Sequence, residues 1–325
     1  MTAYTTRRLE SAADIAALIS VVAALEGCSA KQAKGFVDGL RESLGDAFEA
    51  SLVFATQQQQ IVGAVVLRPM PMGHLELFGG VPKHSNRHEI SLALLRGARA
   101  AVPDAVLASF ASDLYWDVSA LEPLGFRAVA QYQRLQTAAP HLEQIALPAG
   151  FTISSYSQTP DLEGLIVGLR CYEDMWGHHR VDPAQVAAGL GNYDAALIWL
   201  ARDALGSVAG VCRATLSDGK AWIDAPGVRL NSRGLNLHRA LLGHALHALS
   251  ARGAMTFTLE SWGESEANSA DYLELGFQIL ESEAIVAWNA QFFDQARALS
   301  EAAKPKNEGE TAMTVSPSGQ KTLLG

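Results

Sequence analysis

The chain has 325 residues, of which 49% are hydrophobic, and a formal net charge of −9, with no apolar run long enough to cross a bilayer. That length accommodates two domains of ordinary size, and the acidic balance argues against a protein that grips nucleic acid along its phosphates. Three isolated cysteines, Cys28, Cys171 and Cys212, form no C-x-x-C pair, which argues against a disulfide framework or a cysteine zinc site and fits a reducing, cytoplasmic setting.

The N-terminal MTAYTTRRLESAAD has two arginines but no apolar segment behind them, so it does not read as a signal peptide. Residues 9–25 read as a helix. Two strands follow, over 51–56 and 61–69, with the polar Gln57–Gln60 as their turn. A third strand spans 74–81, a helix 89–101, a strand 105–110, a short helix 118–124 and a last strand 126–135. Residues 138–149 carry two prolines and little periodicity, and are read as a linker.

After the linker the order starts again. ADIAALI at Ala13 matches PDLEGLI at Pro160, IVGAVVLR at Ile61 matches VAGVCRAT at Val208, and Leu94–Leu95 match Leu241–Leu242, all at an offset of 147. PLGFRAV and ELGFQIL match at 151. The chain therefore divides into copies at 1–137 and 150–290. Each reads helix, three strands, helix, strand, short helix, strand. The strand–helix–strand step requires a parallel crossover, so each copy is a mixed, mainly antiparallel sheet flanked by helices, an α+β fold. Residues 291–325 are expected to hold a last helix and then, from Lys304, a disordered polar tail.

The second copy contains the stretch with the most chemistry in it. A strand, 221–230, runs into SRGLNLHRALL, Ser232 to Leu242, where a helix begins. First-turn amides of such a helix lack internal partners and lie at the positive end of its dipole, which suits a phosphate. Arg229, Arg233 and Arg239 crowd the same corner, suggesting a bound anion, although an ordinary helix start with solvent-facing arginines has the same pattern.

This order of elements, with VRLNSRGLNLHRALLGHALHALSARG as loop and helix and ADYLELGF as a Tyr-x-x-x-Gly-Phe ending, resembles the GCN5-related N-acetyltransferases in a tandem, two-domain arrangement. The resemblance implies acetyl-CoA, or another acyl-CoA, as cofactor. The cofactor would be bound by Val228, Arg229, Leu230, Arg233, Gly234, Leu235, Asn236, Leu237, His238 and Arg239, with its diphosphate on the loop and the helix start. Arg233 stands at the family's Arg/Gln position, whereas Asn236 and His238 stand where the family has small residues. The first copy departs further: its loop, KHSNRHEIS, has no glycine, and Leu121 replaces the tyrosine, so that copy is expected to be degenerate.

The resemblance also implies roles. Tyr272 would protonate the thiolate leaving group, although a helix tyrosine can simply pack its ring. Asp224 or Glu260, directly or through water, would take the amine's proton, unless these are solvated strand-end carboxylates. A main-chain amide near Val228 would receive the oxyanion. In the loop 171–182, Glu173 and Asp174 would meet an ammonium group, Trp176 would supply an aromatic wall, and His178, His179 and Arg180 would read an acid group. The histidine pairs His84/His88 and His244/His247 have helical spacing but no acidic third ligand nearby, so no metal is expected. Two readings follow: an acetyl-CoA-dependent N-acetyltransferase acting by direct attack of a small-molecule or peptide amine, or a non-catalytic acyl-CoA-binding or protein-interaction module. No nucleic-acid or membrane partner is expected, and the oligomeric state is not legible.

Overall fold

The computed structural model describes residues 4–141, 145–264 and 266–289. The expected C-terminal helix and tail, 291–325, lie outside the described residues. Along the first half run β1 (Thr5–Arg7), α1 (Ala12–Glu26), α2 (Ala30–Leu44), the single turn α3 (Phe48–Ser51), β2 (Leu52–Gln57), β3 (Gln60–Pro69), β4 (Leu75–Gly80), α4 (Arg87–Ala101), β5 (Leu107–Phe110) and β6 (Arg127–Thr137). The second half repeats the plan with β7 (Thr152–Ser155), α5 (Leu162–Leu169), α6 (Pro183–Gly189), β8 (Ile198–Arg202), β9 (Val208–Ser217), β10 (Lys220–Val228), α7 (Leu237–Ala251), β11 (Thr256–Glu264), α8 (Glu266–Glu274) and β12 (Gln278–Trp288).

Local chemistry explains many of the boundaries. Gly27 ends α1 in the left-handed region at φ 60°, where a side chain would be strained. Ser29 and Gln32 form a reciprocal capping box at the start of α2. Asp161 and Asp182 cap α5 and α6 by accepting from the amides of Gly164 and Ala184. The β2–β3 hairpin turns on Gln58 and Gln59, both at positive φ, as a tight primed turn requires.

Among the described residues the two copies share a single sheet. All twelve strands form one sheet, in the order β1-β2-β3-β4-β5-β12-β6-β11-β10-β9-β8-β7. The halves exchange their last strands: β6 pairs antiparallel with β11, β12 pairs antiparallel with β5, and β6 and β12 pair with each other at the centre. Within each half the crossover pair is parallel, β4 with β5 and β10 with β11. Both 11-residue strands have neighbours on both sides, β12 meeting β5 over Ile285–Trp288 and β6 meeting β11 over most of its length, so no edge is left at the centre.

One face is covered by α4 in the first half and by α7 and α8 in the second. Ile90, Leu94 and Leu95 pack there on Val65 and Leu77, while Leu241, Leu246 and Tyr272 pack on Ile223 and Leu259. The other face carries helices, among the described residues, at its two ends. Leu18, Val22 and Val37 of α1 and α2 lie on Phe54 and Val66, and Leu165 and Leu169 of α5 lie on Leu200 and Val211. Between these ends many side chains of β6, β11 and β12 are half-buried, Glu260 and Tyr132 among them. The linker is held down: Ile145 lies against Gly243 of α7, and the His141 amide donates to the Leu275 carbonyl. Among the described residues no single helix is long and apolar enough to cross a membrane.

The N-terminal strand is joined to α1 by a buried ion pair. Asp14, 4% exposed, receives two guanidinium bonds from Arg7 at 2.7 Å and main-chain bonds from Glu10 and Ser11. The Arg7 hydrogen bond, against the opposing effect of burial, holds its carboxyl far below the usual range. A carboxylate depressed on folding stabilises the protein above the unfolded pKa near ~4, and that contribution is lost as pH falls. Asp14→Asn is expected to cost about 2–3 kcal/mol at pH 7. Chemical denaturation should show this gap shrinking once the pH falls below ~4.

Candidate functional site

The two central parallel strands of the second half part in the middle of the molecule. β10 and β11 are paired from Lys220↔Thr256 to Asp224↔Glu260, and the pairing stops there. On its other side β10 stays joined to β9, but with a register shift between Asp224 and Gly227. The sequence APG supplies the cause: Pro226 donates no hydrogen bond, and Gly227 has no side chain. A Cβ at Gly227 would strike the ring of Tyr172, at 2.8 Å.

This geometry directs one amide into the opening. Arg229 returns its amide to the Ala209 carbonyl of β9. In an antiparallel ladder the next residue along points its N–H and C=O the other way, so those of Val228 face the parted strands. The Val228 carbonyl is taken by Arg233 Nε at 2.9 Å. The Val228 amide thus faces the opening between the parted strands.

Beyond Val228 the chain makes a short turn and enters α7. Gly234 (φ 80°) and Asn236 (φ 63°) both hold the left-handed region, and Asn236 supplies no side-chain cap. The first-turn amides of a 15-residue helix therefore face outward without a side chain of the cap on them. Exposed Leu230 and Leu235 flank this cradle. The three arginines are each ion-paired. Arg229 pairs with Asp203, Arg233 with Asp174, and Arg239 with Glu274 and Asp271. Each finds a carboxylate from a neighbouring segment.

Tyr272 is fully buried under α7, with its hydroxyl 2.9 Å from Nε2 of His238 in the first turn of that helix. The bulky residue in the loop is thus the phenol's partner, and both lie on the α7 face of the parted strands.

The two carboxylates considered as bases are register neighbours on the opposite face, and their surroundings separate them. Asp224 is ion-paired to Arg213 at 2.6 Å, and Arg213 also stacks on Tyr193. Glu260 instead accepts a hydrogen bond from the hydroxyl of Tyr132, at 3.1 Å. The two carboxylates thus differ in partner, a guanidinium for Asp224 and a neutral hydroxyl for Glu260.

The loop over this face closes the end of the opening. Tyr172 donates to the Ala225 carbonyl of β10 at 2.7 Å, His178 stacks on Tyr172 at 4.9 Å, and His178 Nε2 lies 3.1 Å from the Trp262 carbonyl of β11. Trp176 packs against His74 of the first half, ring to ring at 4.5 Å. Burial lowers the His74 pKa to about 4, so that imidazole is neutral near pH 7. The Glu173 carboxylate accepts the Val181 amide at 2.7 Å, which closes the loop on itself. Arg233 bonds to the Cys171 carbonyl and Asp174 as well as to Val228, tying the loop to the end of β10. Burial pushes the Cys171 thiol up to about 11 and Cys212 higher still, so neither is a thiolate nucleophile near neutrality.

The first half carries the same design, filled in. β4 and β5 pair only at Leu75↔Leu107 and Glu76↔Ala108 before they part. The Val81 amide, equivalent to that of Val228 at the repeat offset of 147, is already bound to the Tyr115 carbonyl at 2.7 Å. Gly80 lies so close to that carbonyl that a Cβ would come within 2.1 Å of it. Arg87, the counterpart of Arg233, also returns Nε to the strand end, at the Val81 carbonyl. Its other nitrogens donate to the carbonyls of Asp113 and Leu114, stapling that segment across the opening. The amide, the glycine and the arginine that frame the second opening hold the first one shut.

Sequence reasoning missed Tyr132 and the Arg87–Arg233 equivalence. The first comes from a strand that exchange alone brings near. The second was legible, since the two arginines stand almost one repeat apart in aligned loops.

No family model matches the chain, and no curated protein does. Solved structures do. A GCN5-related N-acetyltransferase from Sphaerobacter thermophilus is 18% identical, with 88% of this chain and 95% of that one covered at a TM-score of 0.51. One from Anabaena variabilis is 12% identical over 88% of this chain and 72% of its own, at 0.55. One from Kribbella flavida is 12% identical over 88% and 71%, at 0.52. These likenesses establish the fold: the chain is built as a tandem of GCN5-related N-acetyltransferase folds.

Proposed function

We propose that the second half transfers an acetyl group from acetyl-CoA to an amine by direct attack, and that the first half binds no acyl-CoA. The observation that supports this most is the Val228 amide facing parted strands just ahead of an α-helix whose first-turn amides have no side-chain cap. A diphosphate suits those amides from Gly234 to His238, and a thioester arm reaching back from them enters the opening between β10 and β11.

Acetyl-CoA supplies an acyl group activated as a thioester. The chain's residues supply the rest. Glu260 accepts a proton from the attacking amine, Val228 N–H donates to the carbonyl oxygen as it gains charge, and Tyr272 donates its phenolic proton to the departing sulfur. The acceptor is a small-molecule or peptide amine that reaches Glu260 along the half-buried face beside Trp176 and Trp262. In this reading Leu230 and Leu235 cover the nucleotide, and Arg229, Arg233 and Arg239 hold the loop in shape.

A second reading, an acyl-CoA-binding module without catalysis, is favoured by one observation: the phenol of Tyr272 is already hydrogen-bonded to His238. Calorimetric titration with acetyl-CoA, followed by thiol release with a panel of amines, distinguishes them. One site per chain with amine-dependent thiol release supports the enzyme. One site without release supports the binding module. Two sites, or none, contradict the assignment of the halves.

A further inference from the structure

We infer that Tyr132, a residue of the first half, is a positioning residue for the second half's reaction, fixing the carboxylate of Glu260 without neutralising it. This rests on the reading of Glu260 as the base. Tyr132 lies 128 positions from Glu260 in sequence and reaches it only because β6 has crossed into the other half's ladder, where Tyr132 faces Trp262 and Arg134 faces Glu260.

The surroundings leave the tyrosine little freedom. Its ring packs on Trp262 at 4.5 Å, and Trp262 in turn meets the edge of Phe110. Burial first, and then the neighbouring Glu260, hold the phenol protonated well above its ordinary range, so it remains a donor at every pH of interest. The cation that ought to neutralise Glu260 is turned away: Arg134, its register partner, is paired at 2.8 Å with Glu281 on the other side of β6. Asp224 shows what happens otherwise, with a guanidinium on its carboxylate.

A hydroxyl donor holds one carboxylate oxygen in place and, being uncharged, leaves the other to accept a proton. The inert-looking half thereby completes the site of the other half. Strand exchange becomes a requirement for turnover and not only a way of joining two sheets.

The test is a double-mutant cycle on the full chain, read as initial rates with a productive amine. Tyr132→Phe keeps the ring packing and is expected to lower kcat about 5- to 10-fold with KM for acetyl-CoA unchanged. In a Glu260→Gln background the same change should have no further effect, because the group it positions is gone. Arg134→Gln, which breaks a neighbouring ion pair on the same strand, should leave kcat within about twofold and so controls for damage to β6. Equal losses from Tyr132→Phe in both backgrounds, or no loss in either, would overturn the inference while Glu260 keeps its role. A Glu260→Gln variant as active as the wild type, or a wild type active on no amine, would remove the underlying reading as well.

Discussion

Tyr272→Phe is expected to lower kcat for acetyl transfer about 100-fold while the Kd for acetyl-CoA moves by less than about threefold. The ring is fully buried among residues of both parted strands, and phenylalanine fills the same space, so the packing beneath α7 is retained. What is lost is one hydroxyl. In the resting protein it faces His238, and breaking that bond costs about 1 kcal/mol of stability, too little to unfold a chain of this size. During the reaction the same hydroxyl donates to the sulfur as the C–S bond breaks. A thiolate of pKa near ~8.5 is a tolerable leaving group without help, which keeps the expected loss at the low end of what general acids contribute. Parallel measurement of kcat and of Kd by calorimetry checks it. A variant that keeps full turnover would assign proton delivery elsewhere.

Leu235→Glu is expected to weaken acetyl-CoA binding about 10- to 100-fold without altering the fold. Leu235 is 48% exposed and lies between the two left-handed residues ahead of α7. A carboxylate there sits beside the place of a diphosphate and competes for the same helix-terminal amides. The loss corresponds to about 1.4–2.8 kcal/mol, which is what like charges a few ångströms apart produce at an intermediate dielectric. The effect should shrink as salt is raised, because the position is exposed. The neutral, similarly sized Leu235→Gln separates charge from shape. If Gln and Glu weaken binding equally, the cradle is not an anion site.

These expectations also show which parts of the protein a single sequence discloses. The repeat was legible because Gly63/Gly210 and the paired leucines of α4 and α7 recur at one interval, and such spacing survives even where the chemistry has changed. The distortion in β10 was legible because proline and glycine are local signals. Helix α2 was not, since Gly35 and Gly39 interrupt a run whose buried face is only Ala33, Val37 and Leu40. The strand exchange was not legible either. β6 and β12 have the same length and the same kind of partners, so the pattern along each strand is the same whether it stays at home or crosses over.

The electrostatics were the least legible. Three arginines near a helix start look like an anion site until Asp203, Asp174, Asp271 and Glu274 arrive from 26 to 59 residues away. Glu260, by contrast, meets the neutral Tyr132 from a strand 128 residues away. Long-range pairing decided which charges remain available, and no local pattern encodes it.

The most direct test of the central claim is a crystal structure of the chain grown with acetyl-CoA. The account predicts one cofactor per chain. Its diphosphate should lie within about 3 Å of the amides from Gly234 to His238, and its thioester should lie between β10 and β11, with the carbonyl oxygen on the Val228 amide. Density in the first half, between β4 and β5 with Arg87 and Tyr115 displaced, would contradict it.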